Sequence, residues 1–196
     1  MSDTLVCFFG DSFVNGTGDP AYLGWSGRVC AATSHRNLTY YNLGIRGNTS
    51  EQIEARWQTE AALRFRADCA ARLVFSFGVN DNCTEAGRLR VDAKRSIICA
   101  RRVLTQAKAR CPTLMIGPPP IEDETVNDRT VVTSMAYAAL CDELAVPYLE
   151  TYRPLRQNKV WMNEVTLLDG AHPESAGYEA FAQLVLEWAA WRDWFA

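Results

Sequence analysis

Histidine is scarce in this chain: only His35 and His172 occur among 196 residues. A mechanism that needs an imidazole therefore has two candidates at most. The seven cysteines (Cys7, Cys30, Cys69, Cys83, Cys99, Cys111 and Cys141) form no CxxC pair. That argues against a zinc-binding or thioredoxin-like site and suits reduced core thiols. No apolar run approaches the ~20 residues a membrane span requires. Met1-Ser2-Asp3-Thr4 lacks the basic start of a secretory signal, so the expected location is the cytoplasm. Basic excess is also missing: Lys and Arg total 20 against 23 Asp and Glu. With a net charge of −3, neither nucleic acid nor an anionic membrane surface is expected as a partner. No repeat, low-complexity stretch or Pro/Gly/Ser-rich linker divides the chain, so residues 1–196 read as a single domain.

What is present is an alternation. Continuous apolar runs ending in glycine read as buried strands: Leu5 to Phe9 before Gly10, Thr39 to Leu43 before Gly44, Leu73 to Phe77 before Gly78, and Thr113 to Ile116 before Gly117. Val146 to Leu149 is a weaker fifth. Between them lie helical patterns from near Asn48, over Arg88 to Arg110, over Asp128 to Leu144, and from near Pro173 onward. Thr49 and Gln52 have the spacing of a capping box. Strands and helices in this order predict an α/β protein with a mainly parallel sheet. In such sheets the site lies beyond the carboxyl ends of the strands.

At those ends sit chemically useful residues. Ser12 follows the first strand, but a hydroxyl is a weak nucleophile without an adjacent base. His35 lies in a polar connection at the opposite end of the sheet. His172 lies on the functional side, before the last helix, and Asp169 precedes it by three residues. A short turn can set such a carboxylate against the imidazole. Gly44 and Asn80 end the neighbouring strands and can donate to an oxyanion. Each feature alone is weak, since serines cap helices and asparagines fill turns.

Together, Gly10-Asp11-Ser12-Phe13, Gly44 within Asn42-Leu43-Gly44, Gly78-Val79-Asn80-Asp81 and Asp169-Gly170-Ala171-His172-Pro173 resemble the four blocks of the SGNH (GDSL-type) hydrolases. They occur in that family's order and span nearly the whole chain. The resemblance implies a three-layer α/β/α fold, with a flavodoxin-like five-stranded parallel sheet in the order 2-1-3-4-5. It implies Ser12 as nucleophile, His172 as general base and acid, and Asp169 as its orienting carboxylate. Ser12, Gly44 and Asn80 would form the oxyanion hole. Phe13 replaces the family's usual leucine and is expected to pack inward. Arg46 stands where many relatives carry a small residue, and is a candidate contact to substrate or oxyanion. The α/β-hydrolase elbow, G-x-S-x-G, fits poorly because Val14 occupies the second glycine position.

Further expected substrate contacts are Asp11, Trp25, Pro119, Ile121 and Trp161. The expected substrate is a small acyl or aryl ester, with no cofactor and no metal. Sugar deacetylation, thioester cleavage and lysophospholipid cleavage remain open, since all run on the same triad. Two further classes are a non-catalytic small-ligand module and a metallohydrolase built on Asp11, Asn80, Asp81 and His172, although two histidines are a poor ligand supply. The aromatic chain end, with Trp188, Trp191, Trp194 and Phe195, suggests a homo-oligomer interface.

Overall fold

A computed structural model describes residues 3–35 and 37–195. Met1 and Ser2, part of the N-terminal segment read above, lie outside the described residues. The elements are β1 (Asp3–Gly10), α1 (Ser12–Asn15), α2 (Gly24–Ala32), β2 (Leu38–Gly44), α3 (Ser50–Ala62), β3 (Cys69–Ser76) and α4 (Val79–Asn82). There follow β4 (Thr84–Glu85), β5 (Arg88–Leu89), α5 (Ala93–Lys108), β6 (Thr113–Ile116), α6 (Glu124–Glu143), β7 (Tyr148–Leu149), α7 (Tyr152–Gln157), α8 (Lys159–Leu167), α9 (Ser175–Glu187) and α10 (Ala189–Arg192).

Five strands pair in parallel in the order β2-β1-β3-β6-β7. Counting only these core strands, that is the expected 2-1-3-4-5. The two remaining strands, β4 and β5, form an antiparallel hairpin between α4 and α5. The helical reading of Arg88 to Arg110 ran through this hairpin; α5 starts only after Asp92 accepts from the Arg95 N–H.

The sheet is buried on both faces, which is why its strands are continuously apolar. Successive residues point to opposite sides. Val6, Phe8, Val74, Leu114 and Ile116 pack with Trp25, Val29, Trp161, Phe181 and Val185 from α2, α8 and α9. Leu5, Cys7, Phe9, Leu73, Phe75 and Met115 pack with Trp57, Val103, Leu104 and Tyr137 from α3, α5 and α6. The result is a three-layer α/β/α fold. All seven cysteines are free thiols, and burial raises several of them, Cys7 to about 12. Among the described residues no helix is long and apolar enough to cross a membrane.

The aromatic chain end is used internally. Trp191 is buried against Phe8 and donates to the Thr33 hydroxyl. The Arg72 guanidinium lies over the rings of Trp194 and Phe195, 5.3 and 5.1 Å from their centroids. Trp191, Trp194 and Phe195 thus have partners within the chain.

Candidate active site

The strand ends gather the expected residues on one edge of the sheet. Gly10 ends β1, Asp11 caps α1 by accepting the Phe13 N–H at 3.0 Å, and Ser12 begins the helix, nearly buried. Phe13 packs inward, with its ring 5.1 Å from the His172 imidazole and 6.1 Å from Trp161. A Cβ at Gly18, in the loop after α1, would come within 3.2 Å of the His172 Cβ. The α1 segment and the His172 loop therefore touch. His35 lies at the other end, beside Phe195.

Asp169 and His172 form a close pair. His172 Nδ1 lies 2.7 Å from Asp169 Oδ2, while Oδ1 accepts the backbone N–H groups of His172 and Ala171 at 2.8 and 3.0 Å. Burial alone would raise the Asp169 carboxyl. The hydrogen bonds from the His172 N–H, its ring and the Ala171 N–H outweigh that and hold the group below its ordinary value. In the tautomer that donates Nδ1–H to this carboxylate, Nε2 carries the lone pair. That Nε2 is buried and has no hydrogen-bond partner.

The oxyanion candidates divide. The Asn80 amide donates to Asp11 Oδ2 at 3.1 Å and keeps a second N–H. The Ser12 N–H makes no hydrogen bond among the described residues. Gly44 is different: its N–H is engaged at 3.0 Å by the Asn42 side-chain oxygen. The Asn42 amide in turn donates to the Val14 and Asn15 carbonyls. A Cβ at Gly44 would lie 2.2 Å from the Asn15 nitrogen and 2.7 Å from the Asp11 carbonyl oxygen. In this structure Gly44 lets β2 press against α1, and Asn42 ties the two together. Further along this loop the Gly47 N–H, at φ +75°, makes no hydrogen bond among the described residues.

Asp11 is not positioned to meet a substrate. It is buried, and burial is the main reason its carboxyl is pushed up to about 7, against the lowering bonds from Phe13 and Asn80. Four other expected contacts are also buried. Trp25 stacks on Phe181 at full burial. Trp161 is fully buried and donates to the Pro120 carbonyl at 3.0 Å. Pro119 and Ile121 are buried, Ile121 within the core. The donors of the metallohydrolase reading are engaged elsewhere: Asp81 accepts from the Ser50 N–H and the Ser96 hydroxyl.

Arg46 is exposed, and no acid pairs with it among the described residues. It lines an open depression of about 390 Å³ with Asn15, Gly16, Thr17, Gly18 and Tyr22, beside α1. Tyr22 is 90% exposed and sits at φ +57°.

Two residues that sequence reasoning missed hold this edge together. Asp19 accepts from the N–H groups of Ala21, Leu23 and Gly24, from the Ser175 hydroxyl and from Arg28. It thereby ties the loop after α1 to the start of α9. Its one sequence signal is an aspartate just before a Pro and a helix, a common turn arrangement. Arg56 reaches from α3 to the carbonyls of Gly10 and Leu43 and to the Asn48 side chain; no sequence spacing announces that.

Solved structures share this architecture. A member of the lipolytic protein G-D-S-L family from Veillonella parvula superposes with a TM-score of 0.76 at 19% identity, covering 95% of this chain and 97% of that one. An acetylxylan esterase from Geobacillus stearothermophilus gives 0.76 at 17%, covering 94% and 93%. A lipase/acylhydrolase from Enterococcus faecalis gives 0.72 at 20%, covering 96% of each. At such identities these likenesses speak for the fold. No curated protein matches the sequence significantly. A profile of the GDSL-like Lipase/Acylhydrolase family matches residues 8–180; that stretch runs from β1 into α9 and holds all four blocks, so the chain belongs to this family of ester hydrolases.

Proposed function

We propose that the protein cleaves small acyl or aryl esters through an acyl-enzyme on Ser12. The observation that carries this reading is the His172 ring. Its Nδ1 is fixed by Asp169, its buried Nε2 is left without a partner among the described residues, and the ring packs against Phe13, the residue after Ser12.

The Ser12 hydroxyl oxygen attacks the ester carbonyl carbon as its proton passes to His172 Nε2. The carbonyl oxygen becomes an oxyanion, received by the Ser12 N–H, the free Asn80 amide hydrogen and the Gly47 N–H. Gly47 takes this role in place of Gly44, whose N–H is already bonded to Asn42. Collapse expels the alcohol, which takes the proton from His172. Water then attacks the acyl-enzyme, giving a proton to His172; collapse breaks the bond to the Ser12 oxygen, which takes that proton back from His172 as the acid leaves.

The substituents of the ester are assigned to the depression lined by Arg46 and Tyr22, which borders α1 at Asn15. A second reading is removal of acetyl groups from a sugar. An exposed tyrosine ring beside Asn15 and Arg46 suits stacking on a pyranose with polar contacts at its edge, and one structural neighbour is an acetylxylan esterase. Seven free thiols fit a reducing compartment such as the cytoplasm.

A fluorophosphonate probe should label the native protein and fail on Ser12→Ala. Absence of labelling in the folded native protein favours a ligand-binding module instead. Rates on p-nitrophenyl esters of increasing acyl length, set beside acetate release from acetylated xylo-oligosaccharides, separate the two substrate readings.

A further inference from the structure

Arg90 follows the β4–β5 hairpin and is held at both flanks. Its N–H donates to the Cys83 carbonyl at 3.0 Å, and the Val91 N–H donates to the Asp81 carbonyl at 3.3 Å. From there its guanidinium, mostly buried, spans two strand ends. Nη1 donates to Asn80 Oδ1 at 3.3 Å, and Nη2 donates to the Gly47 carbonyl at 2.8 Å. Nε lies 3.7 Å from the exposed Glu85 carboxylate.

We infer that Arg90 is a positioning residue: its guanidinium sets the Asn80 amide and the Gly47 turn in register so that both present N–H groups to the oxyanion. This rests on the oxyanion roles proposed above.

The physical argument concerns which way an amide can face. An arginine offers only donors. It accepts the oxygen end of Asn80 and rejects the NH2 end. The NH2 group is then directed to Asp11 and the reacting atoms. Asp11 selects the same orientation from the other side, since its Oδ2 accepts the Asn80 NH2 at 3.1 Å, so the amide is held between an acceptor and a donor. The second contact is equally directional. Gly47 stands at φ +75°, and a Cβ there would meet nothing within 4 Å. The turn is held by the Arg90 bond to its carbonyl, by the Asn48 N–H bond to Ile45 at 3.1 Å and by the Arg56 bond to Asn48 Oδ1 at 2.7 Å.

The test is a double-mutant cycle on the p-nitrophenyl ester the native enzyme turns over fastest, with thermal melts by circular dichroism alongside. Asn80→Ala should lower kcat by about 10²-fold, as loss of an oxyanion donor does. Arg90→Met should lower kcat about tenfold with KM kept within about twofold, because an interaction made only in the transition state is weakened. In the Asn80→Ala background the same change should cost less than about threefold, because the two residues act as a unit. Arg90→Lys, which retains the charge but reaches one acceptor, should fall between native and Arg90→Met with an unchanged melt; it decides the matter if Arg90→Met does not fold. Equal losses from Arg90→Met in both backgrounds, or a native kcat in folded Arg90→Met or Arg90→Lys, overturn the role of Arg90 and leave the oxyanion assignment standing. A native kcat in Asn80→Ala overturns that assignment and Arg90's role with it.

Discussion

The two oxygens of Asp169 divide their work: Oδ2 lies 2.7 Å from His172 Nδ1, and Oδ1 accepts the His172 backbone N–H at 2.8 Å. One carboxylate thus fixes the ring and the chain that carries it. Asp169→Asn retains the shape and loses the charge that selects the tautomer. It should lower kcat by about 10³-fold or more with little change in melting temperature. A kcat within tenfold of native, measured by steady-state ester hydrolysis, would remove Asp169 from the triad.

Asp11 predicts an unusual pH dependence of stability. Its carboxyl moves from an ordinary 3.8 to about 7 on folding, mainly through burial. Between those values the folded state binds a proton that the unfolded state has lost. The stabilisation from that proton is complete below about 4 and is lost as pH rises through about 7. Asp11→Asn removes the titration while retaining an acceptor for the Phe13 N–H. The melting temperature of Asp11→Asn relative to native should therefore rise between pH 4 and pH 8. A difference that is flat with pH refutes the buried neutral carboxyl.

Asp19 should be a stability residue. Removing it orphans the N–H groups of Ala21, Leu23 and Gly24 and leaves the Arg28 charge, largely buried, with only the exposed Glu179 carboxylate at 3.3 Å and the Gly24 carbonyl. Asp19→Ala should cost about 3 kcal/mol or more in urea unfolding. Burial raises this carboxyl, but Arg28, Ser175 and the backbone donors prevail and hold it well below its usual range. Its contribution is thus present above the ordinary carboxylate pKa and disappears only in strong acid. A loss below about 1 kcal/mol would show that the loop is held by other contacts.

Arg46 is the open cation beside α1. Arg46→Ala should lower kcat/KM more than about tenfold on the preferred ester, since a charge-assisted contact of about 1.5–3 kcal/mol is removed. The melting temperature should not move, because the side chain is exposed. Unchanged kinetics would make it a solvent-facing loop residue.

Several of these features were legible in the chain and others were not. Strands buried on both faces leave continuous apolar runs, so β1, β2, β3 and β6 were visible, and the glycines that end them marked the functional edge. The Thr49–Gln52 capping box was readable as spacing and is present as two reciprocal bonds. α2 was missed because Gly24-Trp25-Ser26-Gly27 carries two glycines and no clean apolar stripe. Trp25 and Trp161 look like substrate contacts in the chain but are core residues, because a sequence records that a side chain is apolar, not which apolar surface it meets.

By itself the sequence determined the fold class, the strand order through its family resemblance, and the residue types available for acyl transfer, because periodicity and local spacing are written along the chain. It also limited the base to His172, since the other histidine lies at the far end of the sheet. The tertiary structure decided which N–H groups are free. The Gly44 N–H is bonded to the Asn42 side chain, and the Asn80 amide donates to Asp11 while its oxygen accepts from Arg90. Those outcomes depend on contacts between residues up to 69 positions apart, as in Asp11 and Asn80, where hydrogen-bond direction is set by geometry that no local pattern encodes.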